Sequence, residues 1–307
     1  MEKVSKMSDT VVKSIIAGDR RIIAKTLTLV ESSTLEDRVK TQTIISKLFA
    51  FQNKKTRVVG FSGITGSGKS SLIDKLGEEL LKENNKIAVL AIDPSSPVHG
   101  GSILGDKTRM SILTNNPNCF VRPVPSKFNN GGISKSTREA IAIFRAAGYD
   151  YIFIETVGVG QTEYSVSNVC DLLILNLLPA TGDELQGIKK GINELADIIL
   201  VNKADGPLEA QAEITVNEYS KTLNKPIIST SILKKESIKK IVGLINEFYK
   251  NNPHLISKKI EIVNKEWAKS LAMSYLSEAV EEAITDQDIK NPYESLDDLL
   301  QKLKDLI

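Results

Sequence analysis

Residues 57–70 read RVVGFSGITGSGKS, and this stretch decides the fold. Arg57 to Phe61 is a short apolar run of the length of a buried strand. Gly63-Ile64-Thr65-Gly66-Ser67-Gly68-Lys69-Ser70 then fits the pattern G-x-x-x-x-G-K-[ST]. It follows the strand and opens a helical run, SSLIDKLGEELL, which is the context the motif requires. Its glycines let the backbone approach phosphates and turn N–H groups inward. Lys69 offsets charge on the β- and γ-phosphates, and the Ser70 hydroxyl coordinates Mg²⁺. Gly63, Thr65, Gly66, Ser67, Gly68, Lys69, Ser70 and Ser71 are therefore candidate nucleotide contacts.

On either side, apolar runs alternate with helical patterns. The runs are Ile87–Ile92, one beginning at Cys119–Val121, Tyr151–Ile154, Leu172–Leu178, Ile198–Val201 and Pro226–Ser229. Near-continuous apolar strands are what a parallel sheet covered on both faces requires. Helical patterns at Ser70–Glu83 and Ser136–Ala147 fall between them. The expected fold is an α/β doubly wound, mostly parallel sheet carrying a P-loop.

Asn202-Lys203-Ala204-Asp205 matches N-K-x-D directly after the strand IILV. The Asp205 carboxylate can accept two hydrogen bonds from guanine N1–H and the 2-amine. Adenine lacks that donor pair, so the motif favours GTP over ATP. Asn202 is placed to brace the loop and Lys203 to cover the base. Ser231 and Ile232, after the strand PIIS, form a second candidate base loop.

The phosphate side offers carboxylates. Glu155-Thr156-Val157-Gly158 stands where a D-x-x-G signature is expected, with Glu in place of Asp. Glu155 is expected to hold Mg²⁺ and the Gly158 N–H to contact the γ-phosphate. Asp93 ends the second strand, and Asp106 lies in the loop beyond it. Both are candidates for binding Mg²⁺ or orienting the attacking water; a carboxylate at a strand end can also simply cap a helix. Glycine-rich stretches at 98–102, 130–132 and 181–184 read as switch loops or as ordinary connections.

The ends of the chain read differently. Residues 1–54 carry helical stripes (Val11, Val12, Ile15 and Ile16; then Ile22, Ile23, Leu27 and Val30), broken at Gly18-Asp19. Ser33 or Thr34 is expected to cap a third helix, whose apolar side holds Val39, Ile44, Leu48 and Phe49. Residues 55–254 form the expected nucleotide domain. Residues 255–307 are again helical, broken at Asn291-Pro292, and read as a helical cap or as a dimerisation arm.

Bulk properties narrow the class. The 307 residues are 41% hydrophobic and 25% charged, as in ordinary globular domains. Forty basic against 38 acidic residues give a net charge of +2, which argues against a dedicated nucleic-acid binder. The N-terminus lacks the apolar core of a signal peptide, and no apolar run is long enough to span a membrane. Cys119 and Cys170 stand apart in apolar surroundings, so two buried thiols in a reducing cytoplasm are expected. With only two histidines, His99 and His254, a histidine metal site is not expected.

From Gly60 to about Gly206 the motifs GITGSGKSSLIDKLG, VLAIDPSSPVHGGSILGDKTRM, ETVGVGQTE, PATGDELQGIKKGI and ELADIILVNKADG stand in order. In this run the chain resembles the methylmalonyl-CoA mutase-associated GTPases of the MeaB/ArgK type. The resemblance implies a homodimer held by the C-terminal arm. It implies GTP/GDP and Mg²⁺ as ligands, with Ser70, Asp93, Asp106 and Glu155 as the metal and catalytic shell. It implies an adenosylcobalamin-dependent acyl-CoA mutase, methylmalonyl-CoA mutase by default, as the partner that is loaded, gated and protected. It also implies that Pro179–Lys190 is a third switch, with Lys189 reaching the nucleotide when the mutase is bound and Asp183 and Gln186 setting that geometry. Two other readings are a kinase acting on a transport-system binding protein and a metal-insertion GTPase. Label transfer to an acceptor would favour the first, and tight nickel or zinc binding the second.

Overall fold

The computed structural model describes residues 2–32, 34–93, 110–125, 135–156, 165–179 and 190–284. Residues 1–256 form one compact unit and residues 257–307 another. The expected switch stretches at 98–102, 130–132 and 181–184 lie outside the described residues. So do Ser33, Asp106, Gly158, Asp183, Gln186, Lys189 and the helix expected after Pro292.

The first unit opens with three helices, α1 (Glu2–Ile16), α2 (Arg20–Glu31) and α3 (Leu35–Leu48). Gly18, at φ +79°, ends α1 in the left-handed conformation that glycine adopts without a β-carbon penalty. Asp19 then caps α2, accepting from the N–H groups of Arg21 and Ile22 at 2.9 and 3.1 Å. Thr34 caps α3 through the Asp37 N–H at 3.3 Å. The buried stripe is Val12, Ile15, Ile23, Leu27, Val30, Ile44, Ile45 and Leu48. Val39 and Phe49, expected on the apolar side of α3, are instead 58% and 44% exposed. Helical phase explains this: Ile44, Ile45 and Leu48 lie together at i, i+1, i+4, and Val39 falls outside that arc.

The seven strands are β1 (Arg57–Ser62), β2 (Ile87–Asp93), β3 (Cys119–Pro125), β4 (Tyr151–Thr156), β5 (Leu172–Leu177), β6 (Ile198–Val201) and β7 (Ile227–Ser229). They pair in the order β3-β2-β4-β1-β5-β6-β7, every pairing parallel. Strands β4, β5 and β6 are buried at every position, as a sheet covered on both faces demands. Flanking helices are α4 (Lys69–Leu81), α5 (Ser111–Asn115), α6 (Lys135–Ala146), α7 (Lys190–Leu195), α8 (Glu209–Thr222) and α9 (Lys235–Asn251). The core beneath α4 and α9 joins Leu72, Leu76, Phe61, Phe153, Ile241 and Ile245, with Phe61 and Phe153 meeting edge to face at 5.4 Å.

Two polar ties hold this unit's periphery to its sheet. At the β3 edge, Arg20 donates to the carbonyls of Pro117 and Cys119 and lies 5.3 Å over the Phe120 ring, while Arg122 pairs with Glu31. The N-terminal helices thereby cover an edge strand that would otherwise expose unpaired backbone. At the start of β1, buried Asp171 accepts from the Val58 N–H at 3.1 Å and pairs with Arg145 at 3.3 Å. The Tyr249 hydroxyl of α9 lies 3.3 Å from the same carboxylate and 3.2 Å from the Val58 carbonyl.

Beyond this, α10 runs unbroken over Pro253–Ile284, 32 residues or about 48 Å at helical rise. It starts two residues earlier than the helical pattern expected from about Leu255. Ile262, Met273 and Leu276 stand exposed on it. Among the described residues no helix is long and apolar enough to cross a membrane.

Candidate functional site

Because every strand is parallel, the C-terminal ends of all seven share one edge of the sheet. Strand β1 lies between β4 and β5, where successive connections run to opposite sides, and such a point opens a crevice beyond the strand ends. The chain places 63–70, Asp93, Glu155, 202–205 and 230–232 along this edge.

The loop 63–68 leaves β1 through Gly63 at φ +137° and closes through Gly66 and Gly68 at φ +81° and +87°. These values belong to the region that L side chains rarely adopt. At Gly68 a β-carbon would lie 2.7 Å from the Asn202 amide. Lys69, only 5% exposed, reaches back so that its Nζ donates to the carbonyls of Gly63 and Ile64 at 2.7 and 3.0 Å. Its charge therefore sits at the centre of the loop, where phosphate oxygens are expected. Thr65 and Gly66 are exposed on the rim, and Ser71 is half-buried on the first turn of α4.

Two side-chain amides converge on one carbonyl of this loop. Asn202 donates to the Ser67 oxygen at 2.8 Å and Asn176 at 2.7 Å. Asn202 is expected to brace its own loop; its side chain bonds the phosphate loop and, at 3.5 Å, the Thr230 hydroxyl. Asn176, within β5, was not singled out from the sequence, although an amide inside LLILNL was a readable signal.

On the base side, Lys203 takes φ +59°, rare for a residue with a β-carbon. That turn is fixed by the Ala204 N–H bonding the Thr230 carbonyl at 2.9 Å, and by the Thr230 N–H bonding Val201 at 2.8 Å. The two base loops are thus laced together. Ser231, 1% exposed, donates its hydroxyl to the Asp205 carboxylate at 2.5 Å. One carboxylate oxygen is oriented by this bond, and the side chain remains half-open to the edge. Ile232 is half-buried beside it.

On the phosphate side, the Ser70 hydroxyl donates to Glu155 Oε1 at 2.5 Å. Glu155 is 8% exposed and belongs to β4, which runs two residues further than the expected YIFI. Asp93 ends β2, beside the Ile92–Thr156 pairing that closes the β2–β4 ladder. Ser70 and Glu155 suit Mg²⁺, a hard cation that retains waters and takes one or two protein oxygens besides substrate phosphates. Among the described residues no group of three or more His, Cys, Asp or Glu side chains gathers.

A family model described as "Methylmalonyl Co-A mutase-associated GTPase MeaB" matches residues 23–285. The chain belongs to the MeaB family. A "Putative GTPase" of Caulobacter vibrioides is 45% identical over 216 residues, covering 70% of this chain and 66% of that protein. A "Methylmalonic aciduria type A homolog, mitochondrial" of Caenorhabditis elegans is 40% identical over 257 residues, covering 77% of this chain and 64% of that protein. The match thus spans less than two thirds of either MeaB relative's own length. Among solved structures, one described as an LAO/AO transport system kinase superposes with a TM-score of 0.73 at 25% identity, over 97% of this chain and 98% of that one. The MeaB-family chain therefore has the P-loop GTPase fold, and the Caulobacter relative carries the name GTPase.

Proposed function

We propose that this chain binds GTP with Mg²⁺, hydrolyses it to GDP and phosphate, and works as the chaperone of an adenosylcobalamin-dependent acyl-CoA mutase. The observation that carries the nucleotide reading is the pairing of Asp205 with Ser231 at the same sheet edge as the phosphate loop, with Asn202 tying the two together. A carboxylate held by one hydroxyl keeps acceptor capacity for the N1–H and 2-amine of guanine. Adenine would leave that remaining acceptor capacity unfilled, at a cost of about 1–3 kcal/mol.

Phosphoryl transfer in such sites rests on positioning and charge neutralisation. Lys69 and the loop N–H groups hold the phosphates. Ser70 and Glu155, with Asp93 and Asp106 from the adjoining strand end and loop, are the residues that would hold Mg²⁺. The ion, when bound, neutralises charge on the β- and γ-phosphate oxygens. Gly158 is assigned to the γ-phosphate. Lys189 is assigned as a cation brought in by the partner, by comparison with arginine fingers worth roughly 10³–10⁵ in rate.

The mutase reading is supported by the family's description. In this reading residues 1–54 are a helical extension, 55–254 the nucleotide domain and 255–307 a dimerisation arm. The exposed apolar residues of α10 support the arm. Two buried free thiols, Cys119 and Cys170, suit a reducing compartment such as the cytoplasm.

The test is GTP turnover by the purified protein, alone and with methylmalonyl-CoA mutase from the same source. Strong stimulation is the expected result. Competent turnover indifferent to this mutase would keep the GTPase and point to a different mutase or a different class of partner. The name of the similar solved structure favours a kinase as the second reading, which requires γ-phosphate label to appear on a protein acceptor instead of as free phosphate.

A further inference from the structure

We propose that Asn176 is a positioning residue for phosphate binding, an inference that rests on the guanine-nucleotide reading above. Acting from inside the sheet, it orients the Ser67–Gly68 peptide so that the Gly68 N–H faces the nucleotide.

The geometry follows from the peptide unit. The bond joining Ser67 to Gly68 is trans, so its carbonyl and its N–H point in opposite directions. The carbonyl is held from the sheet side by two amides, Asn176 at 2.7 Å and Asn202 at 2.8 Å. Both of its lone-pair directions are thereby taken, and the peptide cannot turn over without breaking both bonds. The Gly68 N–H is left pointing away from the sheet, into the loop that Lys69 crosses. A phosphate cradle needs N–H groups aimed before the ligand arrives.

Asn176 also supports the start of the loop. A β-carbon on Gly63 would lie 2.1 Å from the Asn176 main-chain oxygen, so the entry of the loop rests directly on this residue. One position of β5 therefore backs both ends of the loop.

Packing does not account for an amide here. Asn176 is fully buried in a strand of leucine and isoleucine, and its Oδ1 has no hydrogen-bond partner among the described residues. The hydroxyls of Ser62 and Ser67, also fully buried, are likewise without one. A buried carbonyl oxygen without a donor disfavours the folded state. The amide is explained by what its N–H group does to the phosphate loop.

The two asparagines divide the work. Asn202 belongs to the base loop, so its loss reaches both base and phosphate. Among the described residues the Asn176 side chain hydrogen-bonds only the phosphate loop, so its loss should fall on the phosphates alone. GMP carries only the phosphate next to the sugar, whereas GDP and GTP also carry the β-phosphate that this type of loop surrounds.

The experiment is competition binding of GMP, GDP and GTP to full-length wild type, Asn176→Ala, Asn176→Leu and, for contrast, Asn202→Ala. Both Asn176 variants should bind GDP and GTP about five- to tenfold more weakly, the worth of one hydrogen bond, and bind GMP as wild type does. The GDP-to-GMP affinity ratio is the readout, because general loosening of the fold lowers all affinities together and leaves that ratio alone. An unchanged ratio in both variants overturns the proposal, whether or not the absolute affinities fall. Failure of the wild type to bind GDP strikes the guanine-nucleotide reading itself and is thus distinguishable.

Discussion

Gly63 and Gly66 both sit at positive φ, yet they predict different outcomes. At Gly66 a β-carbon meets nothing within 4 Å, so alanine carries only backbone strain of about 1–3 kcal/mol. At Gly63 the β-carbon would strike main chain, which has no flexible end to yield. Gly63→Ala should therefore abolish measurable GDP binding, and Gly66→Ala should weaken it by about five- to a hundredfold; isothermal titration separates them. On the base side, Ser231→Ala removes the donor that orients Asp205. The expected result is guanine nucleotides bound about three- to tenfold more weakly, with phosphate contacts intact, so GMP and GDP weaken by the same factor. Most of these residues were legible because their spacing encodes the chemistry: G-x-x-x-x-G-K-[ST] and N-K-x-D leave few alternatives once a strand precedes each. Asn176 was not legible in that way. Its role depends on which strand lies beside β1, and no local pattern states that β5 does.

Elements were legible where burial is uniform and less so where it is partial. Strands β1 to β7 declared themselves as apolar runs, because a covered parallel strand has no polar face to dilute the signal. Helices α5, α7, α8 and α9 have no counterpart among the helical patterns expected from the sequence. For α8 the reason is visible: only Ala212, Thr215 and Tyr219 are buried, too few for a strong stripe. Helix α9 is held by more than its apolar face. Tyr249 joins Asp171 and the first residues of β1, and its phenol pKa is pushed well above 10.0, chiefly by burial and then by the Asp171 charge. A folded-state pKa above the unfolded one favours the protonated phenol in the fold. That contribution is complete below about pH 10 and is lost as pH rises through the folded value. Tyr149, Tyr151 and Tyr219 are raised for the same first cause, and burial pushes the Cys119 thiol up to about 12. The melting temperature should hold from neutral pH to about 8, begin to fall near 9 as the unfolded-state Cys119 thiol ionises, and fall further beyond about 10 with the phenols. Tyr249→Phe should lower stability by about 1 kcal/mol at neutral pH and make the alkaline fall shallower. A melting series in buffers from neutral to strongly alkaline checks both. An identical alkaline fall in the variant would place the effect on the other phenols.

At the scale of the molecule, every described residue assigned to the nucleotide lies between Gly63 and Ile232, inside the first compact unit. That unit has its own core on both faces of a seven-stranded sheet, and its N-terminal helices close the β3 edge. Among the described residues, none assigned to the nucleotide lies beyond Ile256. The long helix α10 shows the opposite character. Ile262, Met273 and Leu276 are 51%, 58% and 38% exposed, and their spacings of eleven and three residues keep them within about 60° on one helical face. An exposed apolar face on a long helix calls for a partner surface, and in the proposed reading a second copy of the chain would meet that need with a self-complementary contact. The two halves of this argument make one prediction. A chain ending at Ile256 should bind GDP within about threefold of the full chain, because its phosphate loop, base loops and supporting amides are all retained. The full chain should sediment at twice its 33.7 kDa mass and the shortened chain at the mass of a single copy. Sedimentation and GDP titration on the same two preparations decide both halves. A dimer that survives the truncation moves the interface to the first unit, and a truncated chain that loses GDP makes the helical arm part of the nucleotide site.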